Sequence, residues 1–360
     1  MAIISTSNPK STDNTKKIKS ESLSSEVTVL DQTFEPTLRP QNLEAYIGQP
    51  RLKELLKVCT SAAKKRGDIT SIGHFLLYGS PGLGKTSCAL ILSKELGSDA
   101  KIFSAPALSQ PKDIVGVLLS LNAGDVLFID EIHRLNKITE ELLYSAMEDF
   151  VIDLSVGKSQ AARVMRMPVN RFILVGATTR LGNLSSPLRD RFTHIYKMEF
   201  YSNEELVQII TNTSKVLNFQ ISECGALEIA KRSRGTPRIA NRLTRLVRDF
   251  AQHENISCVN ESEAIKALEL FKIDPNGLEE SDKDLLRIII EKYNGGPVGV
   301  EALAATLGEE RQTLEDVYEP FLLQAGFLAR TTRGRMVTDE AFKLLGINRK
   351  IENSNQLNLF

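Results

Sequence analysis

The octapeptide GSPGLGKT at residues 79–86 constrains this chain more tightly than any other stretch. It fits the pattern G-x-x-x-x-G-K-[ST], follows the apolar run FLLYG at 75–79 and precedes a helical pattern at 87–96. A strand that turns through glycines into a helix presents free backbone N–H groups at the positive end of the helix dipole, and that arrangement binds phosphate. The chain is therefore expected to contain a β-loop-α unit in a parallel sheet, with a nucleotide at its mouth. The amides of Gly82, Leu83, Gly84 and Lys85 would cradle the phosphates. The Lys85 ammonium would neutralise β- and γ-phosphate charge, and the Thr86 hydroxyl would ligate Mg²⁺.

Two further apolar runs, VLFID at 126–130 and FILVGATT at 172–179, have the length and composition of strands buried on both faces of such a sheet. In open α/β sheets ligands bind beyond the carboxyl ends of the strands, so the three ends should converge on one site. The second run ends in two acids. Asp130 would then lie beside Mg²⁺, and Glu131 could orient an attacking water. Phosphoryl transfer also needs positioned positive charge. GATTRLGNLSSPLRDRF at 176–192 and GTPRIANR at 235–242 both offer it. Arg189 or Arg191 could reach a neighbouring subunit's nucleotide, and Arg238 could touch the γ-phosphate from its own subunit.

Charge and cysteine usage exclude several other classes. Lys plus Arg and Asp plus Glu each total 45, so any nucleic-acid contact must come from a local patch. Cys59, Cys88, Cys224 and Cys258 have no paired spacing and read as reduced thiols, and the four histidines are equally scattered, so no transition-metal site is expected. No apolar run approaches the ~18 residues needed to cross a bilayer, and the polar start MAIISTSNPK is unlike a signal peptide. A cytoplasmic location without membrane contact is the expectation.

Along the chain, residues 1–36 are rich in Ser, Thr, Asn and Lys and are expected to form a disordered arm. Residues 37–201 read as the large α/β ATPase domain. Within it, 150–169 has two strand-like arms around a tip at 157–161, the pattern of an exposed hairpin. Residues 202–275 turn helical and form a small lid domain. Turn residues at 273–282 mark a linker. Residues 276–348 show helices near 285–293, 300–307 and 311–324, then a strand pair around TTRGR, which is a winged-helix pattern. That wing packs three arginines and no acid. Residues 349–360 form a tail ending in QLNLF.

The segments LRPQNLEAYIGQP, GSPGLGKT, FIDEIHRL, AMEDF, GATTR, SPLRDRF, RGTPRIANRL, GGPVGVEALAATLGEE, EDVYEP and RTTRGR, in this order, resemble the RuvB family of AAA+ ATPases over roughly residues 38–345. The resemblance implies an α/β AAA+ P-loop core with a small all-helical lid and a C-terminal winged-helix domain. It also implies an ATP-dependent DNA motor, a hexameric ring on duplex DNA that drives branch migration of Holliday junctions with RuvA. A clamp-loader-like ATP switch is the alternative, and the wing pattern argues against it.

On this resemblance Leu38 and Arg39 would lie near the base, with Gly82, Lys85, Thr86 and Ser87 in the phosphate loop. Glu148, Asp149 and Phe150 would lie near the nucleotide, and Thr178 or Thr179 would sense the γ-phosphate. Arg191, Tyr201 and Arg238 would complete the pocket, with Arg189 the rival to Arg191 as arginine finger. Arg330 and Arg335 match the family's DNA-contacting arginines, and the hairpin 150–169 matches the element that docks RuvA. RuvC and further copies of the chain are the other implied partners. Ser80, Leu181 and Thr193 depart from the family pattern, yet none removes a group used in hydrolysis. The tail residues Gln356, Leu357, Leu359 and Phe360 resemble the peptide by which many bacterial DNA enzymes hold the sliding clamp; folding back over the winged helix is the alternative.

Overall fold

The computed structural model describes residues 38–156 and 163–348. The expected arm at 1–36, the hairpin tip at 157–161 and the tail at 349–360 lie outside the described residues.

Helix α1 (Pro50–Arg66) leads into β1 (Phe75–Tyr78), and α2 (Lys85–Leu96) follows the glycine-rich turn. Next come β2 (Ala100–Ser104), α3 (Pro111–Leu119), β3 (Val126–Asp130) and α4 (Lys137–Glu148). The hairpin β4 (Val151–Val156) and β5 (Arg163–Pro168) precedes β6 (Ile173–Thr178), the short α5 (Ser186–Arg189) and β7 (His194–Lys197). The sheet is five-stranded in the order β2-β3-β6-β1-β7, and every pairing in it is parallel. The three strands expected from their apolar runs occupy its centre, with their first residues buried on both faces as such runs require. Alternate residues feed two cores. Phe75, Leu77, Phe128 and Val175 face one cluster, while Leu76, Leu127, Ile129 and Leu174 face the other.

The first cluster continues without a break into the lid, through Leu206, Ile229, Leu243 and Leu268. The lid comprises α6 (Asn203–Val216), β8 (Gln220–Ile221), α7 (Glu223–Lys231), α8 (Pro237–His253), β9 (Cys258–Val259) and α9 (Glu261–Leu270). Ser202 and Glu205 form a capping box that fixes where α6 begins. A shared apolar core therefore holds the lid against one face of the sheet.

The winged helix has its own core around Leu286, Ile289, Leu303 and Leu322. Its elements are α10 (Glu280–Tyr293), α11 (Val300–Leu307), α12 (Arg311–Thr313), α13 (Glu319–Gln324), β10 (Leu328–Thr331), β11 (Gly334–Val337) and α14 (Asp339–Leu344). Helix α10 begins at residue 280, earlier than the sequence pattern suggested, so the linker before it is shorter. The helix expected over 311–324 is also interrupted. Leu314–Tyr318 is a π-helical turn, and Pro320 in the first turn of α13 has no N–H to continue an α-helical ladder.

Candidate functional site

The loop after β1 and the carboxyl end of β3 open on a cleft of about 460 Å³ between the large domain and the lid, while Thr178 and Thr179 at the end of β6 stay off its walls. Leu38, Arg39, Gly82, Gly84, Lys85, Thr86, Ser87, Asp130, Glu131, Tyr201 and Arg238 line it. Eleven residues singled out from sequence thus meet in one place. Gly84 caps α2 with φ 96°, and Gly82 has φ 79°, both in the left-handed region where a side chain is strained. A Cβ on Gly82 would also lie 2.8 Å from the side chains of Arg238 and Thr236, so glycine lets the lid close on the loop.

Lys85 is nearly buried, and its Nζ donates to the carbonyls of Gly79 and Ser80 at 2.8 and 2.9 Å. Burial pulls its ammonium below the usual lysine range, while Asp130 and Glu131 pull the other way. Asp130 is pushed up by burial and then by Glu131. Glu131 has φ 50°, an unusual value for a non-glycine residue, and its amide donates to Asp130 Oδ1 at 3.0 Å. That turn aims the two carboxylates separately.

At the end of β6 the buried Thr178 hydroxyl meets His133 Nδ1 at 2.9 Å. The Thr179 amide and hydroxyl both donate to Glu131 Oε2, at 3.3 and 3.1 Å. His133 Nδ1 stands 3.2 Å from the same oxygen, and burial holds this imidazole below its usual range against the pull of Glu131. The sequence had not marked His133, although its place two residues after Glu131 on the same turn is visible there.

Aromatic groups finish the cleft. The Tyr201 hydroxyl donates to the Leu83 carbonyl at 3.2 Å, and burial pushes its phenol up to about 12. The Tyr46 hydroxyl is buried beside it without a well-formed hydrogen bond, and burial first, then Tyr201, raises this phenol further. A polar atom left in this state at the wall of a cleft suits a ligand with polar atoms of its own. Tyr46, Asn212 and Asn241 line the cleft and were not singled out from sequence.

Other expected site residues lie elsewhere. Arg189 and Arg191 do not line the cleft, and neither do Glu148, Asp149 and Phe150. Arg191 donates to Glu148 at 2.5 Å and to the Pro187 carbonyl at 2.9 Å, with its guanidinium 5.2 Å above the Tyr144 ring. Glu148 therefore joins the arginine finger candidate rather than this chain's own cleft.

In the wing, Arg330 is half exposed and lies 3.2 Å from Glu319 and 3.6 Å from Glu315. Arg335 is buried and bonds Glu319 at 2.7 Å. The hairpin carries a cross-strand pair, Arg166 to Asp153 at 2.9 Å, and an exposed Met165. No described helix is long and apolar enough to cross a membrane.

Comparison with known proteins agrees in every domain. Residues 38–198 match the Holliday junction DNA helicase RuvB P-loop domain, 201–274 the RuvB AAA lid domain and 275–346 the RuvB C-terminal winged helix domain. The chain is 54% identical over 312 residues to the Holliday junction branch migration complex subunit RuvB of Nostoc punctiforme, spanning 87% of this chain and 85% of that relative. It is 52% identical over 334 residues to the subunit of the same name from Crocosphaera subtropica, with 92% and 94% covered. The solved structure of the Thermotoga maritima RuvB Holliday junction branch migration motor superposes with a TM-score of 0.79 at 49% identity, over 86% of this chain and 99% of that one. With all three domains matched and more than half of the aligned positions identical, the chain belongs to the RuvB family of P-loop AAA+ ATPases.

Proposed function

We propose that this ATP hydrolase assembles as a homohexameric ring on duplex DNA and drives branch migration of Holliday junctions together with RuvA. The observation that carries the reading is that the cleft gathers a phosphate loop and two carboxylates while Arg189 and Arg191 lie off its walls. A site that lacks its own arginine finger is completed by a neighbour, which couples hydrolysis to ring assembly.

Within one subunit, the loop amides and Lys85 hold the phosphates, and Arg238 of the lid closes on the γ end. Glu131, fixed by Thr179, orients the attacking water. Thr86 and Asp130 supply hard oxygen donors suited to Mg²⁺, and bound there the ion would neutralise charge on the β- and γ-phosphates. Among the described residues no group of three or more His, Cys, Asp and Glu is placed to hold a metal, so the ion would depend on phosphate and water for its other ligands.

Arg330, with the exposed Arg333, would meet DNA phosphates without reading sequence, as translocation along any duplex requires. Arg335 reaches DNA only by exchanging Glu319 for phosphate. The β4-β5 hairpin, with Met165 exposed, would dock RuvA, and RuvC would be a further partner at the junction. The tail residues 356–360 would tether the motor to a sliding clamp. The protein would work in the cytoplasm, where its DNA is.

The test is a synthetic four-way junction mixed with the purified protein and RuvA. Conversion to two duplexes only in the presence of ATP is expected. Conversion at the same rate without ATP contradicts the proposal.

A further inference from the structure

Glu315, Asp316 and Glu319 stand where the ATPase domain meets the winged helix. Arg180, two residues past the end of β6, donates Nε and Nη2 to Asp316 Oδ1 at 2.9 and 2.7 Å and lies 3.6 Å from Glu315. The same acids hold the wing. Glu315 is 3.3 Å from Arg335, 3.6 Å from Arg330 and 3.2 Å from Arg311, while Glu319 is 2.7 Å from Arg335 and 3.2 Å from Arg330. Three carboxylates therefore serve four arginines, one from the ATPase domain and three from the winged helix. Glu315 and Asp316 sit on the π-helical turn, a local irregularity common at functional sites.

Arg180 is joined equally closely to the catalytic turn. Its amide donates to Thr178 Oγ1 at 3.0 Å, Thr178 meets His133 at 2.9 Å, and the intervening Thr179 holds Glu131 with two donors. Only one residue separates the wing's acid cluster from the clamp on Glu131.

We infer that Arg180 is a positioning residue through which DNA held at the wing is communicated to Glu131. The inference rests on the reading of the wing as the DNA contact. Phosphates that draw Arg330 away from Glu319 and Glu315 leave those carboxylates short of positive charge. They then tighten on Arg180, and the strand end that carries Thr179 moves with it. The Glu315 side chain is mostly buried, so its pull on Arg180 is screened by solvent ions less than the half-exposed Arg330 is.

The test uses the full chain carrying Asp316→Asn, a position outside the cleft lining and outside the proposed DNA contact at the wing. Duplex affinity and hydrolysis rates with and without saturating duplex are measured. DNA-free hydrolysis and duplex affinity should stay within about threefold of wild type, while stimulation by duplex should fall ~5-fold or more. The paired variant Arg180→Asp with Asp316→Arg should recover part of the stimulation, an outcome that a general loss of packing would not give. Unchanged stimulation in Asp316→Asn with duplex still bound overturns the inference. A wild-type protein that binds duplex yet hydrolyses ATP equally fast without it overturns the coupling alone. Failure of wild type to bind duplex overturns the wing reading along with it.

Discussion

Thr179 holds Glu131 through two donors at once, its amide and its hydroxyl both directed at Oε2. Thr179→Val removes the hydroxyl and keeps the shape. A hydrogen bond to a charged group contributes about 1.5–3 kcal/mol, so hydrolysis should slow roughly 10- to 100-fold. Nucleotide affinity should hold, because the Thr179 hydroxyl is directed at Glu131 and does not line the cleft, contrary to a direct γ-phosphate contact from this side chain. Titration calorimetry and steady-state hydrolysis on the same preparation separate the two, and an unchanged rate removes the role given to this contact.

A finger supplied by the neighbour makes a claim about mixtures. Subunits with Arg191→Ala and subunits with Lys85→Ala should each be inactive alone. Mixed rings should regain hydrolysis at interfaces that pair an intact cleft with an intact finger. Repeating the experiment with Arg189→Ala decides between the two arginines. No recovery for either, in rings of measured stoichiometry, places the finger elsewhere.

The wing arginines should behave differently from each other. Arg330→Ala should weaken duplex binding and flatten its salt dependence by about 0.9 in the log-log slope. Arg335→Ala leaves the buried Glu319 carboxylate to the half-exposed Arg330 at 3.2 Å; breaking a buried pair outright costs about 3–5 kcal/mol, so a smaller loss is expected, read as a lower melting temperature of the winged helix. Equal melting temperatures for wild type and Arg335→Ala would remove the structural role assigned to that pair.

Much of this was readable in the sequence because it is local. The phosphate loop, the Asp-Glu strand end and the β6 run each announce themselves within ten residues. The edge strands β2 and β7 did not. Their half-exposed residues lack the apolar run that marks β1, β3 and β6. The role of Arg335 was hidden for another reason: its carboxylate lies 16 residues away, so an arginine-rich turn reads as uniformly solvated. Placement of Glu148 beside Arg191 depends on a contact across 43 residues, which no periodicity encodes.

His74 predicts a pH effect. Its Nδ1 accepts from the Leu174 amide at 2.9 Å, and burial holds the imidazole below its usual 6.5. The unfolded chain therefore takes up a proton that the folded chain resists. Stability is full above pH 6.5 and is lost as pH falls below it. His74→Asn retains an acceptor and removes the titration, so the drop in melting temperature between about pH 8 and about pH 5 should shrink. An equal drop in both proteins rules out His74 as the cause.

The most direct measurement follows ATP binding, ATP hydrolysis and four-way junction movement together in Glu131→Gln, with Lys85→Ala alongside. Glu131→Gln leaves the phosphate cradle intact and removes the group that orients water. The account predicts that this variant binds ATP like wild type yet neither hydrolyses it nor moves the junction, whereas Lys85→Ala fails at binding. Hydrolysis or junction movement by Glu131→Gln at the wild-type rate would contradict it.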